Sequence, residues 1–384
     1  MSHPPTDEQA VVQAYNESAL NLYQTLDKGM GNVVISPYSI GTAMSMVLSG
    51  ARGDTEREMA AVLKQTIPRE RIDAAHRRVL EIVNRFQDRE DVLLAVANAL
   101  CLTVESALVD DRYQERLRTG YAAEVFAAQS VGPINAWVAK KTRDKIDEML
   151  QTLDPNSVCV LLNAIYFKGL WAYPFDKAET RPGAFYTSEG KRLSVPMMHQ
   201  TTDYALLKQD EVTALAMPYR DPSLAMVILL PNDRTGLARI EDRLTLDTIQ
   251  PILSNLERRW LDEVALTLPR FEIAFDASLV PPFKKMGMRS AFSSERADFA
   301  GITGPGSEPG TIWISQIKHK AILEVNEEGS EAAAATAIEF ATLSIPMTIP
   351  FLVDHPFLFF LVDRTTQAIL FMGRVTDPRQ NGGS

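Results

Sequence analysis

Residues 326–343, Asn-Glu-Glu-Gly-Ser-Glu-Ala-Ala-Ala-Ala-Thr-Ala-Ile-Glu-Phe-Ala-Thr-Leu, constrain this chain more than any other stretch. By propensity alone they would form a helix: four consecutive alanines, acidic residues upstream, no proline. The flanks oppose that reading. A strand-like segment, residues 312–325, runs straight into them, and Ser344-Ile-Pro-Met-Thr-Ile-Pro350 stops any helix on the far side. At period two, Ser330, Ala332, Ala334, Thr336, Ile338 and Phe340 share one face; Glu331, Ala333, Ala335, Ala337 and Glu339 share the other. The segment therefore reads as an exposed loop that can also serve as a strand.

The remaining sequence reads as one large α+β domain spanning residues 1–384. Its 384 residues would allow two or three domains, yet no Ser/Gly-rich linker, block of like charge or repeat divides them. The loopiest stretch, 301–310, lies inside the continuous pattern. A net charge of −10 disfavours nucleic acid and anionic membranes as partners, and no apolar run reaches transmembrane length. Cys101 and Cys159 sit in apolar runs and read as buried free thiols, which excludes a disulfide scaffold. The N-terminus carries no signal peptide pattern, so the chain is expected to be intracellular or the mature form of a secreted protein. Asn16-Glu-Ser18 is a glycosylation sequon inside a helical pattern and is read as incidental.

Thr6-x-x-Gln9 predicts a capping box, followed by Val12, Tyr15, Ala19, Leu22 and Leu26 at helical spacing up to Lys28. Ser36-Pro37 is a helix start, and the helix after it is apolar nearly all round, so it should be buried. The periodicity predicts a further helix over 134–150. Residues 158–167 form a strand apolar on both faces, which demands cover on each. Further strands are expected within 264–275 and 349–375, the latter turning at 363–367. His319 falls on the apolar face of its strand with Ile317, Ala321, Leu323 and Val325, and by itself reads as a hydrogen-bonded core histidine.

Several segments, in order, resemble the serpin family. Asn32-Val-Val-Ile-Ser-Pro-Tyr-Ser-Ile40 is similar to the opening of its buried second helix, and Leu161-Leu-Asn-Ala-Ile-Tyr-Phe-Lys-Gly-Leu-Trp171 to the central strand of its main sheet. Val195-Pro-Met-Met198, Met217-Pro-Tyr219, Ile228-Leu-Leu-Pro231, Phe351 to Leu361 and Phe371-Met-Gly-Arg-Val375 follow in sequence, and 326–343 resembles the reactive-centre hinge. Each is weak alone; their order from about residue 10 to residue 378 makes the resemblance specific. It implies the serpin fold: a single large domain with a main mixed β-sheet, further β-sheets, a bundle of helices and an exposed reactive-centre loop at about 328–350.

The resemblance also implies roles. Ser36, Ser39, Asn163 and His319 match the polar cluster called the shutter, and Trp171 matches the breach, where the hinge first inserts. Glu327, Gly329, Ser330, Ala332, Ala334 and Thr336 match the hinge. Counting fourteen residues from Gly329 puts the reactive bond at Leu343–Ser344. Met347–Thr348 stays open as the alternative, because Ile345-Pro-Met-Thr348 resembles some members' cleavage sequence. The arginines at 69, 71, 77, 78 and 85 lie where some serpins bind sulfated polysaccharide, but Glu70, Asp73 and Glu81 interleave and favour a solvated face. Gly-x-Ser-x-Gly, His-Glu-x-x-His, Walker A and Cys-x-x-Cys patterns are absent, so an enzyme is not expected, and no cofactor or metal is implied.

The implied activity is suicide-substrate inhibition by a monomer. A protease acylated by Leu343 is carried along as the hinge inserts into the main sheet. The inward residues Ser330, Ala332, Ala334 and Thr336 suit insertion: overpacking costs about 1–3 kcal/mol per site, and a buried unpaired ion costs several kcal/mol. Leucine at the bond implies a chymotrypsin-like, elastase-like or subtilisin-like serine protease in a covalent complex, with a papain-like cysteine protease also open. A non-inhibitory serpin acting as chaperone or carrier is the alternative from another class.

Overall fold

The computed structural model describes residues 4–26, 29–86, 89–103, 109–154, 157–328 and 348–380. Gly329, Ser330, Ala332, Ala334, Thr336, Leu343, Ser344 and Met347 lie outside the described residues.

Two sheets organise the chain. The main sheet has five strands in the order β10 (Phe271–Ser278), β11 (Ile314–Val325), β4 (Cys159–Gly169), β2 (Val92–Leu102) and β3 (Glu124–Ala127). The second sheet runs β1 (Val33–Ile35), β14 (Ala368–Val375), β13 (Phe357–Asp363), β8 (Leu224–Pro231), β7 (Val212–Pro218), β6 (Arg192–Lys208), β9 (Asp262–Pro269) and β12 (Ile349–Leu352), with β5 (Arg181–Tyr186) also paired to β6. The predicted strand at 264–275 is in fact parts of two. Pro269, which has no N–H to donate, ends β9, and the chain crosses to the main sheet as β10.

Around these sheets lie α1 (Asp7–Thr25), α2 (Pro37–Gly50), α3 (Gly53–Val62), α4 (Arg69–Asn84), α5 (Asp111–Tyr121) and α6 (Val131–Lys141) from the first half of the chain. The second half adds α7 (Leu237–Asp242), α8 (Leu246–Arg258), α9 (Val280–Met286) and α10 (Ala300–Thr303). The Thr6/Gln9 capping box forms at the start of α1, and Ser36 caps α2 by accepting the Ser39 N–H. Every residue of α2 is buried, because the helix is packed against β14 of one sheet and β2 and β4 of the other. Its Gly41 is required: a Cβ there would fall 2.3 Å from the Tyr15 ring of α1.

The two apolar faces of β4 enter separate clusters. Cys159, Leu161, Ile165 and Phe167 join the large core that includes α2, whereas Val160, Leu162 and Ala164 pack with Ile134 and Val138 of α6. Cys101 belongs to the second cluster and Cys159 to the first, so the thiols point to opposite faces, both free and buried. Burial raises both thiol pKa values, that of Cys101 to about 11.

The predicted helix over 134–150 is shorter than its periodicity suggests: α6 ends at Lys141. Arg143 and Asp144 take positive φ angles of 54° and 59°, and the chain folds back over the sheet as a strap. Side chains supply what the helix ladder would have supplied. Asn135 accepts from the Met149 and Leu150 N–H groups at 2.9 and 3.0 Å, and Thr142 Oγ1 accepts from Ile146 N–H at 3.1 Å. Ile146, Met149 and Leu150 are still buried in the second cluster, which is why their spacing imitated a helix.

Candidate functional site

The centre of the main sheet is a parallel seam. Strands β4 and β11 pair in parallel from Ile314↔Cys159 to Leu323↔Phe167, while β2–β4 and β10–β11 on either side are antiparallel. A register shift between Ile314 and Gln316 loosens the lower end, where Ser315 Oγ accepts from the Val158 and Cys159 N–H groups and donates to Cys159 O. The chain leaves β11 at the upper end. A strand that turned back from there into the seam would run antiparallel to both neighbours, exchanging one parallel ladder for two antiparallel ones, which are the somewhat stronger kind.

Beneath the seam the sequence-predicted polar residues come together. Ser36 N–H points at His319 Nε2 at 3.4 Å, so that nitrogen accepts and the ring proton sits on Nδ1. His319 Nδ1 then donates to Asn163 Oδ1 at 2.5 Å, and Asn163 Nδ2 donates to Ser39 Oγ at 2.5 Å and Ser39 O at 3.0 Å. His319 and Asn163 are register partners across the seam, so this network ties β4 to β11 and both strands to the start of α2. Asn98 is a member that sequence reading missed; it sits opposite Asn163 on β2 and accepts from Nδ2. The only local signal for it is one amide within the apolar run Ala97-Asn98-Ala99.

The upper end is closed by different groups. The Trp171 indole stacks on Tyr219 at 4.4 Å, and its N–H donates to Asn326 O at 2.9 Å. Glu327 is buried, its carbonyl accepts from Phe175 N–H at 3.0 Å, and its carboxylate lies 3.7 Å from Arg270. Glu328 pairs with Lys177. On the outer surface Glu324 of β11 accepts from Lys168 Nζ at 2.7 Å and Tyr166 OH at 3.0 Å, both on β4. Burial would raise the Glu324 pKa, but these two bonds hold it below the usual carboxylate range. The strap crosses above: Lys145 lies over the Tyr166 ring at 5.3 Å, and Lys320 donates to Glu148 O at 2.6 Å.

Downstream of 329–347, Thr348 bonds to Glu263 and β12 pairs in parallel with β9. The segment therefore leaves from the main sheet and returns to the edge of the second.

Other features have structural explanations. Arg71 and Arg78 of α4 pair with Asp7 and Glu8, Arg69 with Glu56 and Glu70, and Arg85 with Asp363. Asn16 is buried and bonds Gln367 O and Ile369 N–H, so the sequon amide is occupied within the fold. No group of His, Cys, Asp and Glu among the described residues is arranged to hold a metal ion.

The neutral His319 has a pH consequence. Burial lowers its pKa from 6.5 to about 3, as it does for His76 between α1, α2 and α5. The unfolded chain takes up protons below about pH 6.5 that the folded chain refuses until about pH 3. Stability should therefore be flat with respect to these groups above pH 6.5 and fall steadily as pH drops to 3. Denaturant midpoints at pH 7.5 and 4.5 measure this. His319→Gln should have a lower midpoint at pH 7.5 yet lose less on acidification; an equal acid response in the two proteins would show that His319 is not the titrating group.

A family model for Serpin (serine protease inhibitor) matches residues 13–378. Serpin B8 of Homo sapiens is 37% identical over 379 residues, covering 95% of this chain and 99% of its own. Leukocyte elastase inhibitor of Bos taurus is 34% identical over 387 residues, covering 94% and 97%. The structure of Arabidopsis AtSerpin1 in its native stressed conformation superposes with a TM-score of 0.86 at 26% identity, covering 98% of this chain and 100% of that one.

Proposed function

This chain belongs to the serpin family, and from that premise we propose that it inhibits serine proteases as a suicide substrate cleaved at Leu343–Ser344. The carrying observation is the parallel β4–β11 seam, whose strands pair directly with each other and from whose upper end the chain continues into 329–347. The protease serine attacks the Leu343 carbonyl, the peptide bond to Ser344 breaks, and the new amine leaves with its proton. Leu343 is then held to the protease as an ester. Residues 329–343, freed at one end, enter the seam as a central strand with Ser330, Ala332, Ala334 and Thr336 facing inward.

Insertion must separate Tyr166 and Lys168 from Glu324 and part Asn163 from His319, so the shutter and the outer bridges set the barrier. The gain is one additional ladder, at about 0.5–1.5 kcal/mol net per hydrogen bond. Trapping succeeds when insertion outruns hydrolysis of the ester. Leu343 suits the apolar pocket of a chymotrypsin-like or elastase-like enzyme, and one relative carries the name leukocyte elastase inhibitor.

The test is incubation with chymotrypsin. We expect a denaturant-resistant species at the summed masses and a released C-terminal peptide beginning at Ser344. Cleavage without a covalent complex, with protease activity undiminished, would move the protein to the non-inhibitory class.

A further inference from the structure

Five large hydrophobic side chains are exposed among the described residues: Met30, Tyr173, Trp260, Leu261 and Leu352. Four of them lie next to or on the segments that hold the two ends of 329–347. Tyr173 follows Trp171, which holds Asn326, and Leu352 ends β12, which begins directly after Thr348. Trp260 and Leu261 precede β9, where Glu263 binds Thr348. Trp260 is 92% exposed and Leu261 57%, with Arg258 and Arg259 exposed beside them. The Tyr173 ring meets Tyr204 edge-on at 6.2 Å, and Tyr204 is the register partner of Asp262, so Tyr173 and Leu261 flank the same strand end. Folding leaves such a concentration of aromatic, leucine and arginine side chains in water only at a cost, and it is the composition of an interface centre.

We propose that Tyr173, Trp260 and Leu261 form a second docking surface for the body of the protease that attacks Leu343–Ser344. The proposal rests on the inhibitor reading above and adds to it contacts outside the active-site cleft. Reach selects the occupant. Leu343 is five residues from Thr348, at most about 17 Å of fully extended chain. A protease domain of about 230 residues has a radius of gyration of about 17 Å. With its cleft on Leu343, such a body overhangs the ground around Thr348 and Glu263. With Arg258 and Arg259 beside it, the surface would suit a protease face that is apolar at its centre and acidic at its margin.

The probe is chymotrypsin whose catalytic serine is replaced by alanine, which allows docking at equilibrium without acylation. Trp260→Ser should weaken binding by about tenfold or more, the loss expected for an interface tryptophan, and Leu261→Ser by less. Both should keep the wild-type thermal midpoint, since neither side chain is buried. Affinities within twofold of wild type, or no measurable binding by wild type, overturn the surface. Active chymotrypsin run in parallel keeps the two readings apart. Trapping with no contribution from Trp260 defeats the surface alone, whereas cleavage without trapping defeats the inhibitor reading. A concentration-dependent dimer lost in Trp260→Ser, with protease affinity unchanged, assigns the surface to a second copy of the chain and overturns the proposal.

Discussion

Cleavage anywhere between residues 337 and 343 by a protease that escapes trapping should raise the thermal midpoint by roughly 10 °C or more. A cut loop that enters the seam adds one ladder of about ten hydrogen bonds, worth about 10 kcal/mol at the usual net value. In a domain of 384 residues each kcal/mol moves the midpoint by about 1 °C. The sign is diagnostic, because a nick ordinarily loosens a fold. Calorimetry before and after limited proteolysis reads the effect, and a midpoint unchanged or lowered would mean that 329–343 does not become a strand.

Leu343→Arg should transfer inhibition from chymotrypsin-like to trypsin-like enzymes. The guanidinium gains a charge-assisted bond to the pocket aspartate of a trypsin-like protease. Pairing a desolvated charge in this way is worth about 2–5 kcal/mol, a gain of about thirtyfold or more in association rate with trypsin. In an apolar pocket the same group is a buried unpaired ion, and the rate with chymotrypsin should fall correspondingly. Stoichiometry should hold, since residues 329–342 are untouched. Met347→Arg is the control: if it switches specificity and Leu343→Arg does not, the reactive bond is Met347–Thr348.

Much of the framework was legible because it is written locally. The Thr6/Gln9 box, the Ser36-Pro37 start and the all-apolar α2 depend on neighbours in sequence, and the period-two pattern placed His319 on the buried side of β11. What escaped depends on side-chain partners that periodicity does not announce. Asn98 is polar in an apolar strand, and only its register opposite Asn163 explains it. Nothing before Lys141 announces the end of α6, because the groups that end it pair Asn135 with Leu150 and Thr142 with Ile146. The Glu324 bridge likewise joins residues 156 and 158 positions apart. For 329–343 the alternation and composition are readable in the sequence, but the segment lies outside the described residues, and its uptake as a strand belongs to the proposed function.

If 329–343 enters the seam as proposed, the indole of Trp171 should report it optically. In the uncleaved chain its N–H is bonded to Asn326 O and its ring is stacked on Tyr219, largely shielded from water. Asn326 lies three residues before Gly329, so a hinge that begins to insert pulls this carbonyl with it and changes the surroundings of the chromophore. Trp260, 92% exposed, should emit at longer wavelength and, on the docking proposal, respond to a bound protease. Of the four tryptophans in the chain, Trp171 should follow strand uptake and Trp260 docking, and with Trp137 and Trp313 replaced by phenylalanine stopped-flow emission should order the two events.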